Sequence, residues 1–402
     1  MRNLVYLGAS ENRSGNLVSS VVYKKSSGTT SASYSYTYDA KDNITEIYKG
    51  STLIASYAYD SLGQMIREDC VDADKTYLYT YDGLGNILSK SEYPFTPAYY
   101  EPAYGSAVYS YGYTSSAWGD LLTEYNGTAI TYDAIGNPLS YYNGSAYTFT
   151  WNGRQLSSTV LGGVTSSYVY DLDGLRTQKT VGSVVYDYYW NDGKLYGMTI
   201  TKGASITTLM FAYDSEGMPF AMSYNGTVYY YCTDVQGNVL GIIDEYGLCA
   251  YYRYDAWGNI LTIDAASTAP YNAIMANPLR YRGYIYDSDT ELYYLQSRYY
   301  DPVTGRFLNA DDVMFLGATG TVISTNLFAY CENDAVNMVD PRGLAKLPYC
   351  VRYILNGFGP YNYSQMVNDV RSLFANGEAS KYNSKDLDIK LKHIHLILFK
   401  IC

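Results

Sequence analysis

Apolar and polar residues alternate in short runs along most of the chain, and the runs recur. "YTYDAKDNI" begins at Tyr36, "YAYDSLGQM" at Tyr57, "YTYDGLGNI" at Tyr79 and "ITYDAIGNP" at Ile130. "YVYDLDGLR" follows at Tyr168, "FAYDSEGMP" at Phe211, "YCTDVQGNV" at Tyr231 and "YRYDAWGNI" at Tyr252. Degenerate copies, "FTWNGRQLS" from Phe149 and "YYWNDGKLY" from Tyr188, fill the gaps. The shared form is aromatic-x-Tyr-Asp-x-x-Gly-Asn-apolar, spaced about every 19–23 residues. Period-two alternation before the aspartate predicts a strand, with Tyr36 and Tyr38 on one face. The aspartate can accept from the backbone amides that follow it, and the glycine supplies the positive φ of a tight turn. Apolar residues such as Ile87, Leu88, Val239 and Leu240 then restart a strand. A second turn is often a glycine pair, as at Asn143-Gly144 and Asn225-Gly226. Each repeat is thus two strands and two turns. A lone hairpin is marginal in water, so successive hairpins are expected to pair into a continuous sheet.

Two regions break the rhythm. Between Asp82 and Asp133 the stretch "SEYPFTPAYYEPAYGSA", about residues 91–107, reads as an inserted loop. After residue 344 the repeat is lost. There "SQMVNDVRSLFANG", Ser364 to Gly377, predicts an amphipathic helix with Met366, Val367, Val370, Leu373 and Phe374 as its apolar stripe. The last stretch, "DIKLKHIHLILFKIC", alternates like a strand.

Composition agrees with β structure. Of 402 residues, 52 are tyrosine and 35 glycine, and 17% are charged. The formal net charge of −11, with no basic patch through residue 340, argues against nucleic acid as a partner of the array. The two histidines are His393 and His395, so a histidine-based site in the body is excluded. The six cysteines are widely spaced and contain no Cys-x-x-Cys, which favours buried thiols over zinc. The first residues lack the apolar core of a secretory signal, and no apolar run is long enough for a membrane span. One carboxylate per repeat favours turn formation over calcium binding, and the tyrosines favour cross-strand ladders over a sugar-binding groove. No cofactor and no metal site is expected.

The repeats resemble the YD (Rhs) repeats of bacterial Rhs proteins, the Tc toxin C component and the teneurins, over roughly residues 30–265. Beyond them, "NPLRYRGYIYDSDTELYYLQSRYYDPVTGRFLNADD" from Asn277 and "NLFAYCENDAVNMVDPRGL" from Asn326 closely resemble the RHS repeat-associated core domain. The resemblance implies a mainly β fold. YD hairpins would spiral into a partial hollow shell, closed by the core domain and followed by a short α+β tail. The implied divisions are a partial repeat at 1–29, the array at 30–270, the core at 271–344 and a variable tail at 345–402. The array is short for a complete shell, so a longer chain is expected upstream, and the tail has the position of a polymorphic toxin, with a truncated toxin as one reading of it.

In that family the core is often an intramolecular aspartic protease that releases the toxin inside the shell. Residue by residue, Asp311 and Asp340 match the catalytic aspartates, Arg306 the supporting arginine, and Leu344–Ala345 the cleaved bond. Asp311 is followed by Asp312 rather than proline, which leaves either open for the first position; spacing from Arg306 favours Asp311. Asp301 reads as a turn former. Expected partners are the chain's own tail as cargo, an immunity protein and a secretion apparatus, with a secreted or cell-surface bacterial location. The alternative is a non-enzymatic surface or secreted adhesion module that binds carbohydrate or protein.

Overall fold

A computed structural model describes residues 2–6, 17–24, 27–102, 107–115, 117–214, 217–344 and 347–348. The helix and strand expected in the tail, His393, His395 and Ala345 lie outside the described residues. Met1–Tyr349 clusters as one compact unit, so the array and residues 271–344 are not separate bodies.

The fold is mainly β. The repeats form two antiparallel meanders in strict chain order, one of eleven strands from Arg2–Tyr6 to Thr128–Ala129 and one of fourteen from Thr131–Tyr132 to Ile260–Ala265. Neither closes on itself. A single continuous sheet was expected; it breaks at Ile130. There the strands Glu124–Tyr125 and Thr128–Ala129 are only two residues long, around an Asn126-Gly127 turn with both φ positive. Between Ala107–Gly112 and Glu124–Tyr125, which still pair with each other, the connecting segment buries Leu121 and Leu122. Within 91–107, the strand Ile87–Pro94 continues to Pro94 and pairs with Ala107–Gly112, so the departure from the sheet starts at Phe95.

One device recurs through the array. In the turn at Asp82, the carboxylate accepts from the amides of Leu84 (2.9 Å) and Asn86 (2.8 Å), and Asn86 Nδ2 donates to its other oxygen at 2.8 Å. The same clamp recurs at Asp39, Asp60, Asp133 and Asp255, with Gln64 in the asparagine's place after Asp60. Just before the aspartate the ladder slips by one residue, as between Thr80 and Tyr81. The tyrosine hydroxyl then donates to a carbonyl near the start of the previous repeat: Tyr81 to Met65 (2.5 Å), Tyr213 to Leu195 (2.6 Å), Tyr254 to Val239 (2.9 Å). The motif is therefore a turn plus a strut to its neighbour.

In a meander these turns share one rim, and residues 271–344 pack onto it. Several turn amides serve both partners. Gln64 accepts from Asn333 (2.9 Å), Asn86 from Asn326 (2.8 Å) and Asn238 from the Arg282 amide (3.0 Å); Asn259 donates to Pro302 O (2.8 Å). Against the inner face lies an ion cluster. Arg176 and Lys179 of the strand Arg176–Val181 hold Asp287, at 2.5 and 2.8 Å, and Lys179 also pairs with Asp289. Burial opposes charge here, yet the partners prevail: the two cations keep their protons above their ordinary range, and Asp287 is held below the usual carboxylate range. Tyr168, Tyr188, Tyr294 and Tyr299 surround the Arg176 guanidinium at 4.5–5.9 Å.

Residues 271–344 hold a helix the pattern did not suggest, Thr268–Ala276 beginning just before them, with Pro270 tolerated in its first turn. They also hold a small four-stranded sheet of Ile285–Asp287, Leu292–Tyr294, Tyr299–Asp301 and Arg306–Phe307. Tyr281, Tyr293, Tyr300 and Tyr330 fill its core, all nearly fully buried.

Candidate active site

Arg298 precedes the strand Tyr299–Asp301 and organises the site. Its Nη2 donates to Asp311 Oδ2 at 2.8 Å and to Asp340 Oδ2 at 3.1 Å. Those two oxygens are therefore no farther apart than the sum of the two distances. Nη1 donates to Leu327 O at 3.0 Å and Nε to Gly343 O at 2.5 Å. The guanidinium lies 3.5 Å from the Phe307 ring centroid, which leaves its plane little freedom.

The two aspartates arrive from separate segments. The Asp311 amide donates to Leu327 O (2.9 Å), and Asp311 Oδ1 accepts from the Asp312 amide (2.7 Å). Asp340 follows the strand Met338–Val339, and its amide donates to the Tyr284 hydroxyl at 2.9 Å. Asp340 Oδ1 accepts from the Leu344 amide at 2.9 Å. The carboxylate thus touches the residue on the acyl side of the bond that the resemblance implies is cut.

Burial pushes the Asp311 carboxyl up to about 6, against the opposing pull of Arg298 and the Asp312 amide; the nearby Asp340 adds a smaller upward push. Burial also pushes the Arg298 guanidinium down from its ordinary value, opposed by Asp340 and then Asp311. Two close carboxylates around one guanidinium, one of them holding a proton near pH 6, are suited to sharing a proton and to general acid–base chemistry.

Asp311 and Asp340 are brought together; Arg306 is not brought to them. Its Nη2 donates to Asp120 O (2.7 Å), and the guanidinium faces the Tyr113 and Phe328 rings, so it ties this segment to the array's inserted region. Arg298 stands where a supporting arginine was sought. Both arginines sit in the same stretch of sequence, Arg298 to Asp312, and the fold tells them apart: Arg306 is bridged to Ala329 and donates to the array. Asp312 caps the turn Val313–Phe315 by accepting from the Met314 amide (3.0 Å) and is exposed. Asp301 is fully buried and accepts from Tyr141 (2.7 Å), Thr304 (2.9 Å) and the Val303 amide (2.9 Å), a turn aspartate that also docks onto the array. Among the described residues, no group of three or more His, Cys, Asp or Glu side chains is placed to hold a metal. Cys70, Cys232, Cys249 and Cys331 are buried. No helix of the described residues is long and apolar enough to cross a membrane.

Residues 15–336 match the family described as Teneurin YD-shell. The chain belongs to this YD-shell family. Relatives of this YD shell include the tRNA3(Ser)-specific nuclease WapA of Bacillus spizizenii, 32% identical over 311 residues, which are 76% of this chain and 12% of that protein. Double-stranded DNA deaminase toxin A of Burkholderia cenocepacia is 26% identical over 351 residues, covering 77% of this chain and 22% of the toxin. Among solved structures, the Photorhabdus luminescens Tc holotoxin pore superposes with a TM-score of 0.62 at 18% identity, over 82% of this chain and 17% of that one. That likeness concerns the fold. This YD shell therefore spans between 12% and 22% of the length of these two curated relatives.

Proposed function

We propose that this chain is the shell and closing segment of a bacterial polymorphic toxin, and that Asp311 and Asp340 hydrolyse its own Leu344–Ala345 bond. The observation that carries the reading is one constellation. Arg298 Nη2 holds both carboxylates, while Asp340 Oδ1 holds the amide of Leu344. Toxin relatives support the wider reading.

In the proposed reaction the pair shares one proton. The ionised carboxylate takes a proton from water as its oxygen attacks the Leu344 carbonyl carbon. The protonated carboxyl gives its proton to the departing nitrogen of Ala345 as the C–N bond breaks. The products are the Leu344 carboxylate and the Ala345 amine, with one water consumed. Arg298 keeps the pair oriented and its charge balanced. Because the substrate follows Asp340 directly, the attack is intramolecular and needs no open cleft.

Residues 345–402 would then be cargo retained by the shell without a covalent link. A toxin of this class requires a secretion apparatus, a secreted or cell-surface destination and an immunity protein in the producing cell. Expression of the full chain followed by a denaturing gel tests the proteolytic step. Two fragments, the smaller matching residues 345–402 in mass, are expected from the wild type and a single chain from Asp311→Asn. A wild type that stays intact overturns it.

A further inference from the structure

The peptide to be cut is held by more than the carboxylate pair. Between the strands Leu292–Tyr294 and Tyr299–Asp301 the chain makes a tight turn, with Gln296 at φ 68° and Leu295 N donating to Arg298 O at 2.9 Å. This turn faces Arg342 and Gly343. Ser297 N donates to Arg342 O at 3.2 Å. Ser297 Oγ lies 2.8 Å from Arg342 O and 2.6 Å from Gly343 O. One hydroxyl has one proton, so it is shared between the two carbonyls or alternates between them. Arg298 Nε donates to the same Gly343 carbonyl at 2.5 Å. On the other side, Gln296 Nε2 donates to Gly193 O at 2.8 Å, which fixes the turn to a hairpin of the array.

The fit is close. Gly343 has φ 69°, and a Cβ there would come within 2.8 Å of Ser297 Oγ, 3.1 Å of Leu295 O and 3.2 Å of Arg298 N. The turn therefore grips bare backbone, one and two residues before Leu344. Ser297 itself is exposed. Its side chain fills no core, so its placement on two carbonyls of the segment to be cut is not explained by packing.

We propose that Ser297 is a substrate-positioning residue for the self-cleavage, its hydroxyl clamping the Arg342 and Gly343 carbonyls so that the bond after Leu344 stays at the carboxylate pair. This rests on the proteolytic reading above, and two readouts separate the fates of the two claims.

The clamp is measured in the full chain carrying Asp311→Asn, by hydrogen exchange at the Leu344 amide. Ser297→Ala is expected to speed exchange about fivefold to tenfold, and Ser297→Thr, which keeps the hydroxyl, to restore it. In the otherwise wild-type chain, Ser297→Ala is expected to slow cleavage by a similar factor. Ser297→Thr recovers the rate, and the melting temperature is unchanged. Exchange that does not respond to Ser297→Ala overturns the clamp, whether or not the chain is cut. A faster exchange with an unchanged cleavage rate overturns positioning. A wild-type chain that is never cut overturns the proteolysis and with it the positioning role of Ser297.

Discussion

The array and the segment that caps it both depend on aspartate, and they use it in opposite ways. At Asp82 the carboxylate is satisfied within four residues, by the amides of Leu84 and Asn86 and the Asn86 side chain. At Asp311 and Asp340 one guanidinium serves both carboxylates, and it comes from a third segment at Arg298. A carboxylate saturated by its own turn has no spare capacity for proton transfer. One that shares a single cation with a second carboxylate, in a buried place, has its proton affinity set by the tertiary fold. The partners distinguish the turn aspartate at Asp82, met wholly by its own turn, from Asp311 and Asp340, which also meet at one guanidinium.

The largest expected effect breaks the comparison on its capping side. Asp340→Asn, which keeps shape and removes the charge, is expected to slow self-cleavage by at least ~100-fold, read as loss of the fragment on a denaturing gel. On the array side, removing one partner of a buried ion cluster is costly. Arg176→Ala is expected to destabilise by about 3–5 kcal/mol in denaturant unfolding, because Asp287 is left with Lys179 alone. An intermediate test is pH. Burial raises the Asp311 carboxyl to about 6. Its protonated form is therefore favoured in the folded chain. That contribution to stability is complete below the unfolded-chain value of ~3.9 and is lost as pH rises through about 6. If the pair must hold one proton, the cleavage rate falls over the same upper limb, by about tenfold per pH unit well above it. A rate flat from pH 5 to 8 would contradict an acid role for Asp311. Smallest is Asp82→Ala, expected to cost about 1–2 kcal/mol through its lost turn contacts, with cleavage intact.

Much of the array was legible because its determinants are local. Tyr36 and Tyr38 do share a buried face, and Asp-x-x-Gly-Asn is a turn whose parts contact one another, as at Asp82 and Asn86. The strut from each motif tyrosine to the previous repeat was not legible, since nothing in the sequence names a backbone carbonyl as the partner. The break at Ile130 falls in the stretch between Asp82 and Asp133 where the repeat loses its rhythm, but that irregularity reads as an inserted loop and does not by itself mark where the ladder ends. In the capping segment the two aspartates could be read by resemblance. The choice between Arg298 and Arg306 could not, because each stands just before an aromatic residue and Arg306 is committed elsewhere by its pairing across the small sheet and to Ala329.

The central claim is that position in the fold, not residue type, makes Asp311 and Asp340 the reacting pair. The direct measurement is a time course of the new N-terminus at Ala345, by mass spectrometry, in the wild type, Asp311→Asn, Asp340→Asn and Asp82→Asn. The account predicts that Ala345 termini accumulate in the wild type and in Asp82→Asn and are absent from the other two. Accumulation in Asp340→Asn, or absence from the wild type, would contradict it.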